Sequence, residues 1–273
     1  MSAPALSIAA VQMSSGADVA ANLRAAGEGL AQARALDAAV AVLPENFAFM
    51  GAHERDKLAV AELEGQGPVQ EFLAQTARRL GLWIVAGTVP LKTADPQHVA
   101  AACLLFDAGG ERVARYDKIH LFDVDVPEGG SYRESSTIAP GPVAAVVADT
   151  PAGRIGLSVC YDLRFPELFR RLAAQGAEIL AVPSAFTEHT GEAHWEPLLR
   201  ARAIENQCYV VAPGQVGAHP GGRRTWGHSL IVDPWGRLLA QREAGEGVIV
   251  APLPREPLLN LRRSFPVLDH RRL

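Results

Sequence analysis

The stretch GLSVCYDLRFPE, residues 156–167, joins a strand to a helix around a cysteine. The apolar run GLSV predicts the end of a strand, and Pro166 suits the first turn of a helix. Cys160 lies where the strand gives way to the loop. Because the start of a helix favours negative charge nearby, we expect the thiolate form to be favoured at Cys160.

Strand-like and helix-like runs alternate on both sides of this stretch. Hairpin signals at 107–110 and 150–153 add antiparallel pairs to the alternation. The pattern predicts an α/β fold with mixed sheets covered by helices, and the absence of a linker predicts a single domain over 1–273. We predict helices over 18–37, 67–81, 166–174 and 194–206, and strands over 6–11, 39–43, 82–89, 99–106, 112–116, 143–148, 154–159, 179–182, 209–212, 229–232 and 248–251.

Composition restricts the partners and the compartment. The net charge of −4 gives no reason to expect nucleic acid or an anionic membrane, and the Arg pairs at 170–171, 223–224, 262–263 and 271–272 suggest solvated surface or local ion pairs. The N-terminal apolar run is preceded by no basic residue, so we expect no signal peptide. Three widely spaced cysteines predict neither disulfides nor a metal site, which favours the cytoplasm and no cofactor.

Two further motifs place reactive side chains just after strand-like runs. Glu45 lies in VLPEN, residues 42–46, and Lys118 lies in RYDKIHLFD, residues 115–123. With Cys160 they supply a base, a cation and a sulfur nucleophile, a set suited to attack on an amide carbonyl through a thioester. The alternative is that Glu45 is a surface loop carboxylate and Lys118 a surface lysine beside Asp117.

The three motifs, in this chain order, resemble those of the nitrilase or carbon–nitrogen hydrolase superfamily. The resemblance extends to PSAFTEHTGEAHWEPLLRARAIENQCYV, residues 183–210, and to GHSLIVDPWG, residues 227–236. It implies an α-β-β-α sandwich of two packed sheets. It also implies a homodimer or higher homo-oligomer.

The resemblance assigns a role to each motif residue. Glu45 moves the proton from the thiol to the leaving nitrogen and then activates water, so we expect it in a confined, partly desolvated site. Lys118 and the backbone N–H of Tyr161 hold the oxyanion that forms when Cys160 attacks.

Glu134, in SYRES, resembles an additional active-site glutamate of the family. It could orient Lys118 or the substrate through charge-assisted hydrogen bonds. The alternative is a loop carboxylate paired with Arg133. Glu128, in PEGG, is a nearby acidic residue that we assign to an exposed turn.

Substrate binding is predicted from the residues around the nucleophile. Arg164 is shaped to grip a carboxylate remote from the scissile amide, and Phe186 and Thr190 are predicted pocket walls. The alternative for Arg164 is a structural salt bridge to Glu167 or Asp162.

The histidines and the other cysteines point to structural roles. His189, His194 and His228 have no metal-type spacing, and His194 is predicted to open a helix with a capping or core role. Cys103 and Cys208 lie in apolar runs and are predicted to be small buried hydrophobes.

Within the superfamily the flanks resemble the Nit branch, which includes deaminated-glutathione amidase and omega-amidase. Tyr161 and Asp162 stand where nitrile-hydrolysing relatives typically have Trp-Glu, which favours an amide substrate. Residues 190–210 and the ending SFPVLDHRR favour hydrolysis of a carboxylate-bearing amide to acid and ammonia, as in a deaminated-glutathione amidase. The alternatives are an omega-amidase acting on α-ketoglutaramate, an N-carbamoyl amino acid hydrolase, or an inactive binding or redox-sensing protein on the same fold.

Overall fold

Two six-stranded sheets form the centre of the structure, a computed structural model that describes residues 6–126 and 130–272. The strands of the described residues are β1 (Ser7–Gln12), β2 (Ala38–Val42), β3 (Trp83–Lys92), β4 (Val99–Phe106), β5 (Arg112–Asp117), β6 (Asp123–Val126), β7 (Gly130–Arg133), β8 (Val146–Thr150), β9 (Gly153–Leu157), β10 (Ile179–Ala181), β11 (Tyr209–Ala212), β12 (Val216–Ala218), β13 (Arg224–Trp226), β14 (Ser229–Val232), β15 (Leu238–Arg242) and β16 (Gly247–Pro252). The α-helices are α1 (Val19–Ala35), α2 (Pro68–Leu80), α3 (Pro166–Ala174), α4 (Glu188–Asn206) and α5 (Arg255–Ser264).

Both sheets are mixed, and each is built around a parallel centre. The first has the order β16-β1-β2-β3-β4-β5, with β1, β2 and β3 parallel and the other neighbours antiparallel. The second has the order β15-β14-β11-β10-β9-β8, with β9, β10 and β11 parallel. Two-stranded sheets β6-β7 and β12-β13 lie outside these two.

Strand alternation places the layers. In β1, Ile8 and Ala10 pack in the core between the two sheets, whereas Ala9 and Val11 pack with α1 and α2 on the other face. The outer face of the second sheet is covered by α3 and α4. Their buried side chains, such as Phe169 and Leu199, belong to the same hydrophobic cluster as the residues of that sheet. The order of layers is therefore α-β-β-α, as the resemblance implied.

The helix ends follow the sequence signals. Asp18 caps α1, because its carboxylate accepts a hydrogen bond from the backbone N–H of Ala21. Pro68 occupies the first turn of α2, and Gly81 ends that helix with a left-handed φ of 60°. No helix in residues 6–126 or 130–272 is long and apolar enough to cross a membrane.

Several predicted boundaries are wrong. The last predicted helix, α4, begins at Glu188 rather than at His194. The Thr187 side chain caps it, because its hydroxyl accepts a hydrogen bond from the Thr190 N–H. Its first turn contains Gly191, a poor helix former that hid the pattern. Strand β8 begins at Val146, three residues later than predicted, and the short strands β6, β7, β12, β13 and β15 were not predicted.

Close contact between β3 and the end of β2 sets the position of Glu45. The Leu43 N–H donates to the Val85 carbonyl, so the chain leaving β2 stays against β3 up to Pro44 and Glu45. A Cβ atom on Gly87 would lie 1.9 Å from the Pro44 carbonyl oxygen. The sequence needs glycine there because the neighbouring backbone cannot move without moving Glu45.

Replacing Gly87 with alanine should therefore damage both stability and activity. We expect Gly87→Ala to lower the free energy of unfolding by about 1–3 kcal/mol, since the added methyl group overpacks against backbone. Chemical denaturation and amide turnover measure the two effects. Gly16→Ala is the matched control, because no atom lies within 4 Å of a Cβ at Gly16. Wild-type stability in Gly87→Ala would contradict the close approach.

Candidate active site

The ends of three strands bring the predicted triad together between the two sheets. Glu45 follows β2, Lys118 follows β5 directly, and Cys160 follows β9. All three are buried, with exposed fractions of 3% for Glu45, 1% for Lys118 and 7% for Cys160. The surface alternatives for Glu45 and Lys118 are therefore wrong, and the confined site predicted for Glu45 is observed.

The Lys118 ammonium is held between two carboxylates. Its Nζ lies 2.8 Å from Glu45 Oε1, and 2.9 and 2.8 Å from Glu134 Oε1 and Oε2. The second oxygen of Glu45 accepts a hydrogen bond of 3.0 Å from the backbone N–H of Ala185. These contacts fix the direction of both the base and the cation.

Electrostatics keeps Lys118 and Glu134 ionised although both are buried. Burial by itself would lower the pKa of Lys118, but the charges of Glu134 and Glu45 raise it well above its ordinary value. Burial would likewise raise the pKa of Glu134, but the ammonium of Lys118 holds it below its usual range. Lys118 is therefore a permanent cation at neutral pH.

Glu134 joins the site from a short 3₁₀ turn, Glu134–Ser136. Its Oε2 also accepts a hydrogen bond of 2.7 Å from the backbone N–H of Phe122, which anchors the carboxylate to the segment after Lys118. Arg133 instead binds both oxygens of Asp125, so the predicted alternative of an Arg133–Glu134 pair is wrong. Glu128 lies outside the described residues.

Cys160 sits on a strained turn. It begins the 3₁₀ helix Cys160–Arg164 with a φ of 46°, in the left-handed region that non-glycine residues rarely adopt. Its own N–H donates to the Pro183 carbonyl at 3.0 Å. Within residues 6–126 and 130–272 the next N–H, that of Tyr161, has no acceptor, which leaves it available for an oxyanion.

The thiol of Cys160 is not held as a thiolate. Burial and the negative charge of Glu45 raise its pKa above the ordinary cysteine value, and Lys118 offsets this only in part. The predicted effect of the nearby start of α3 is therefore wrong, because desolvation and a like charge dominate. Proton removal has to accompany attack on a substrate.

The pH dependence of Cys160 tests this directly. A raised pKa favours the neutral thiol, so ionisation should occur above pH ~8.5, the ordinary value for cysteine. We expect the ultraviolet absorbance of thiolate, taken as wild type minus Cys160→Ala, to be absent at pH 7 and to grow only in alkaline solution. A thiolate signal that titrates on the acid side of that value would contradict the burial effect.

Asp162 connects the nucleophile turn to the lysine segment, a role that was not predicted. Its fully buried carboxylate accepts hydrogen bonds from the Tyr116 hydroxyl at 2.6 Å, the Val159 N–H at 2.8 Å, and the N–H of His120 at 3.2 Å. The His120 ring nitrogen Nδ1 also lies 2.7 Å from it. Tyr116 and His120 flank Lys118, so Asp162 sets the position of Cys160 relative to the cation.

Replacing Asp162 with asparagine tests this connection. Asparagine keeps the shape but exchanges one acceptor oxygen for a donor group, which leaves buried donors without partners. We expect a loss of about 1–3 kcal/mol in the free energy of unfolding and a lower kcat. Denaturation and steady-state kinetics measure both. An Asp162→Asn protein with unchanged kcat would show that the Cys160–Lys118 spacing does not depend on it.

The predicted pocket residues line the same cavity as the triad. Its wall contains Arg164, Phe186 and Thr190. The guanidinium carbon of Arg164 lies 5.2 Å from the ring centre of Phe186, and its Nη1 lies 3.2 Å from His194 Nδ1. The Thr190 hydroxyl lies 2.7 Å from that of Thr187, at the start of α4.

The predicted structural alternative for Arg164 is not observed. In the described part of the chain Arg164 forms no ion pair with Asp162 or Glu167. His194 lies in the second turn of α4 and contacts Arg164, so its prediction as a residue that opens a helix is wrong. Across the described residues, no group of three or more His, Cys, Asp or Glu side chains is arranged to hold a metal ion.

Other lining residues were missed from the sequence. The pair Arg223-Arg224 was assigned to solvated surface or local ion pairs; Arg224 is exposed and pairs with Glu188, but Arg223 lines the cavity. The signal was ambiguous, because two adjacent arginines look alike in the sequence, whereas in the structure Arg223 ends the turn before β13 and Arg224 is the first residue of that strand. The remaining lining residues not predicted for the site are Asn46, Glu54, Phe122, Tyr132, Ala185 and Thr187.

A buried Glu, Lys and Cys between the sheets of an α-β-β-α sandwich define a nitrilase-type hydrolase. The chain belongs to the carbon–nitrogen hydrolase family, whose model matches residues 7–263. A relative from Yersinia enterocolitica, named deaminated glutathione amidase, is 50% identical over 231 residues, which are 84% of this chain and 80% of that protein.

Solved structures agree with the family assignment. The crystal structure of the Caenorhabditis elegans NitFhit protein matches with a TM-score of 0.92 and 40% identity, over 100% of this chain and 66% of that one. A variant of the amidase from Nesterenkonia sp. AN1, with acrylamide added at its active-site cysteine, matches with a TM-score of 0.79 and 28% identity, over 96% of this chain and 98% of that one.

Proposed function

We propose that this protein is an amidase that hydrolyses deaminated glutathione, or a closely related carboxylate-bearing amide, through a thioester on Cys160. The contact that carries the proposal is the Lys118 ammonium, held 2.8 Å from Glu45 and 2.8 Å from Glu134 beside the thiol. The name of the Yersinia relative supports the choice of substrate. The modified cysteine of the Nesterenkonia amidase supports the choice of nucleophile.

Acylation begins with a neutral thiol. Glu45 accepts the thiol proton as the sulfur of Cys160 attacks the carbonyl carbon, so the thiolate forms only when the substrate is in place. The carbonyl oxygen becomes negative and is stabilised by the Lys118 ammonium and the Tyr161 N–H. The C–N bond then breaks as Glu45 gives its proton to the departing nitrogen.

Deacylation uses the same residues. A water molecule enters once the amine has left. Glu45 takes a proton from this water as the water oxygen attacks the thioester carbonyl carbon. Lys118 and the Tyr161 N–H again hold the oxyanion. Collapse releases the carboxylic acid and returns the proton to the Cys160 sulfur. Glu134 keeps Lys118 oriented and charged throughout, because it binds Nζ with both oxygens.

The product that leaves with the nitrogen depends on the substrate, so the prediction of ammonia applies to only one of the two candidate substrates. In deaminated glutathione an amide joins the dicarboxylic acyl part to cysteinylglycine, so its hydrolysis releases the dipeptide amine. Hydrolysis of α-ketoglutaramate, the omega-amidase alternative, releases ammonia. Arg164 is proposed to bind the carboxylate of the acyl part, since its planar guanidinium lines the triad cavity without a carboxylate partner among the described residues.

Trapping the acyl group identifies the nucleophile. Cys160→Ala should abolish turnover of deaminated glutathione while preserving the fold, because a methyl group cannot form a thioester. Mass spectrometry of wild type quenched during turnover should place the acyl adduct on Cys160. Cys103→Ala and Cys208→Ala are controls, because both thiols are buried in the core and should affect stability rather than chemistry. Turnover in Cys160→Ala, or an adduct on another cysteine, would remove the proposal.

Partners and location stay predictions. We propose a small-molecule amide as the partner, and we retain the expectations of a homodimer or higher homo-oligomer, of the cytoplasm, and of no nucleic acid, membrane or metal. The two sheets share one buried core, which supports the prediction of a single domain over 1–273.

A further inference from the structure

A second cleft adjoins the triad cavity. The two share Asn46, Glu54, Tyr132 and Arg223 as a common wall. The nucleophile lines the triad cavity and not the cleft. The part of a substrate that reaches the cleft from Cys160 would therefore contact these four shared residues. The cleft is also lined by two other cations, Lys57 and Arg133.

Arg223 is placed to bind an anion at the junction of the two cavities. Its Nη2 donates to the Ala185 carbonyl at 2.9 Å, and its guanidinium lies 5.5 Å from the ring centre of Tyr132. Its Nε is buried and has no hydrogen-bond partner in residues 6–126 and 130–272. A buried donor without an acceptor is unfavourable, so the arrangement favours a ligand that supplies one.

The charge of Arg223 is the least neutralised in the cleft. Its closest carboxylate oxygen, on Glu54, lies 3.9 Å away, and the other oxygen of Glu54 is 2.6 Å from Lys57. Arg133 has its own bidentate partner in Asp125. The cleft thus has an excess of positive charge, and the Arg223 guanidinium can still bind a carboxylate.

We propose that the adjoining cleft is a second substrate subsite, which binds the anionic leaving-group part of an extended amide, with Arg223 as its anion-binding residue. The inference rests on the proposed function, because cysteinylglycine ends in a carboxylate. A guanidinium binds a carboxylate through parallel hydrogen bonds, and the unpartnered Nε can supply one of them.

The two arginines then divide the substrate between them. Arg164 lies on the Phe186 side of the cavity and Arg223 contacts the carbonyl of Ala185, so they flank adjacent residues of one segment. Arg164 binds the acyl carboxylate and Arg223 the carboxylate of the leaving dipeptide. An amide that releases ammonia uses only the first.

Kinetics with matched substrates separates the two roles. The substrates are deaminated glutathione, the same molecule with its terminal carboxylate converted to an amide, and α-ketoglutaramate. The quantity compared is kcat/KM for deaminated glutathione divided by kcat/KM for each of the other two substrates. We expect Arg223→Met to lower this ratio by ~10-fold or more, which is the size of one lost charge-assisted hydrogen-bond pair. Arg164→Lys should lower kcat/KM for all three without changing the ratio.

Arg224→Met is the matched control, because Arg224 is adjacent, exposed and bound to Glu188, and it lines neither cavity. It should leave the ratio at the wild-type value. An equal loss on all three substrates in Arg223→Met would make Arg223 a support for Ala185 or a second ligand of the acyl carboxylate, and would overturn the subsite.

Direct binding decides the subsite independently of turnover. Calorimetry with cysteinylglycine under reducing conditions should show binding to Cys160→Ala, weakened ~10-fold or more when Arg223→Met is added, and unchanged when Arg224→Met is added. Failure of wild type to hydrolyse deaminated glutathione would remove the proposed function while this titration still tests the cleft. Absent binding at millimolar dipeptide, or equal binding with and without Arg223, would overturn the subsite.

Discussion

The rest of the structure depends on a buried ammonium held between two carboxylates. Removing Lys118, Glu45 and Glu134 from water is costly, and the cost is offset only where the geometry is close and the remaining oxygens are hydrogen-bonded. Both conditions are met, because the Ala185 N–H donates to Glu45 and the Phe122 N–H donates to Glu134. Loss of one partner would leave an unpaired buried charge, so each of these segments is tied to the others.

This constraint explains why the site lies between two sheets. The base and the cation follow strands of the first sheet, and the nucleophile follows a strand of the second. The rigid intersheet core sets their separation, and Asp162 adjusts it locally by binding both the Cys160 turn and the residues that flank Lys118. Two residues with left-handed φ values lie at the same place, Cys160 itself at 46° and Asn46, next to the base, at 58°.

The electrostatics also sets the order of events. A permanent thiolate beside Glu45 would place two negative charges together in a desolvated cavity, and the raised pKa of Cys160 avoids this. The buried thiol therefore stays neutral until a carbonyl is present to take up the charge. Substrate recognition then falls to the cavity walls, where Arg164 and Arg223 are cations outside the Lys118 cluster.

The sequence by itself predicted an α/β fold, and its resemblance to a known family added the α-β-β-α layers and the candidate site residues. Glu45, Lys118 and Cys160 were selected because their three motifs resemble those of the family in the same chain order, whereas the ends of α1 and α2 are marked locally by Asp18 and Gly81. Tertiary structure decided what local pattern cannot encode. Whether the Cys160 thiol ionises depends on burial and on the charge of Glu45, which lies more than a hundred residues earlier in the chain. Similarly, Arg223 rather than Arg224 lines the cavity because the turn before β13 places it there, and that placement is set by long-range packing rather than by residue type.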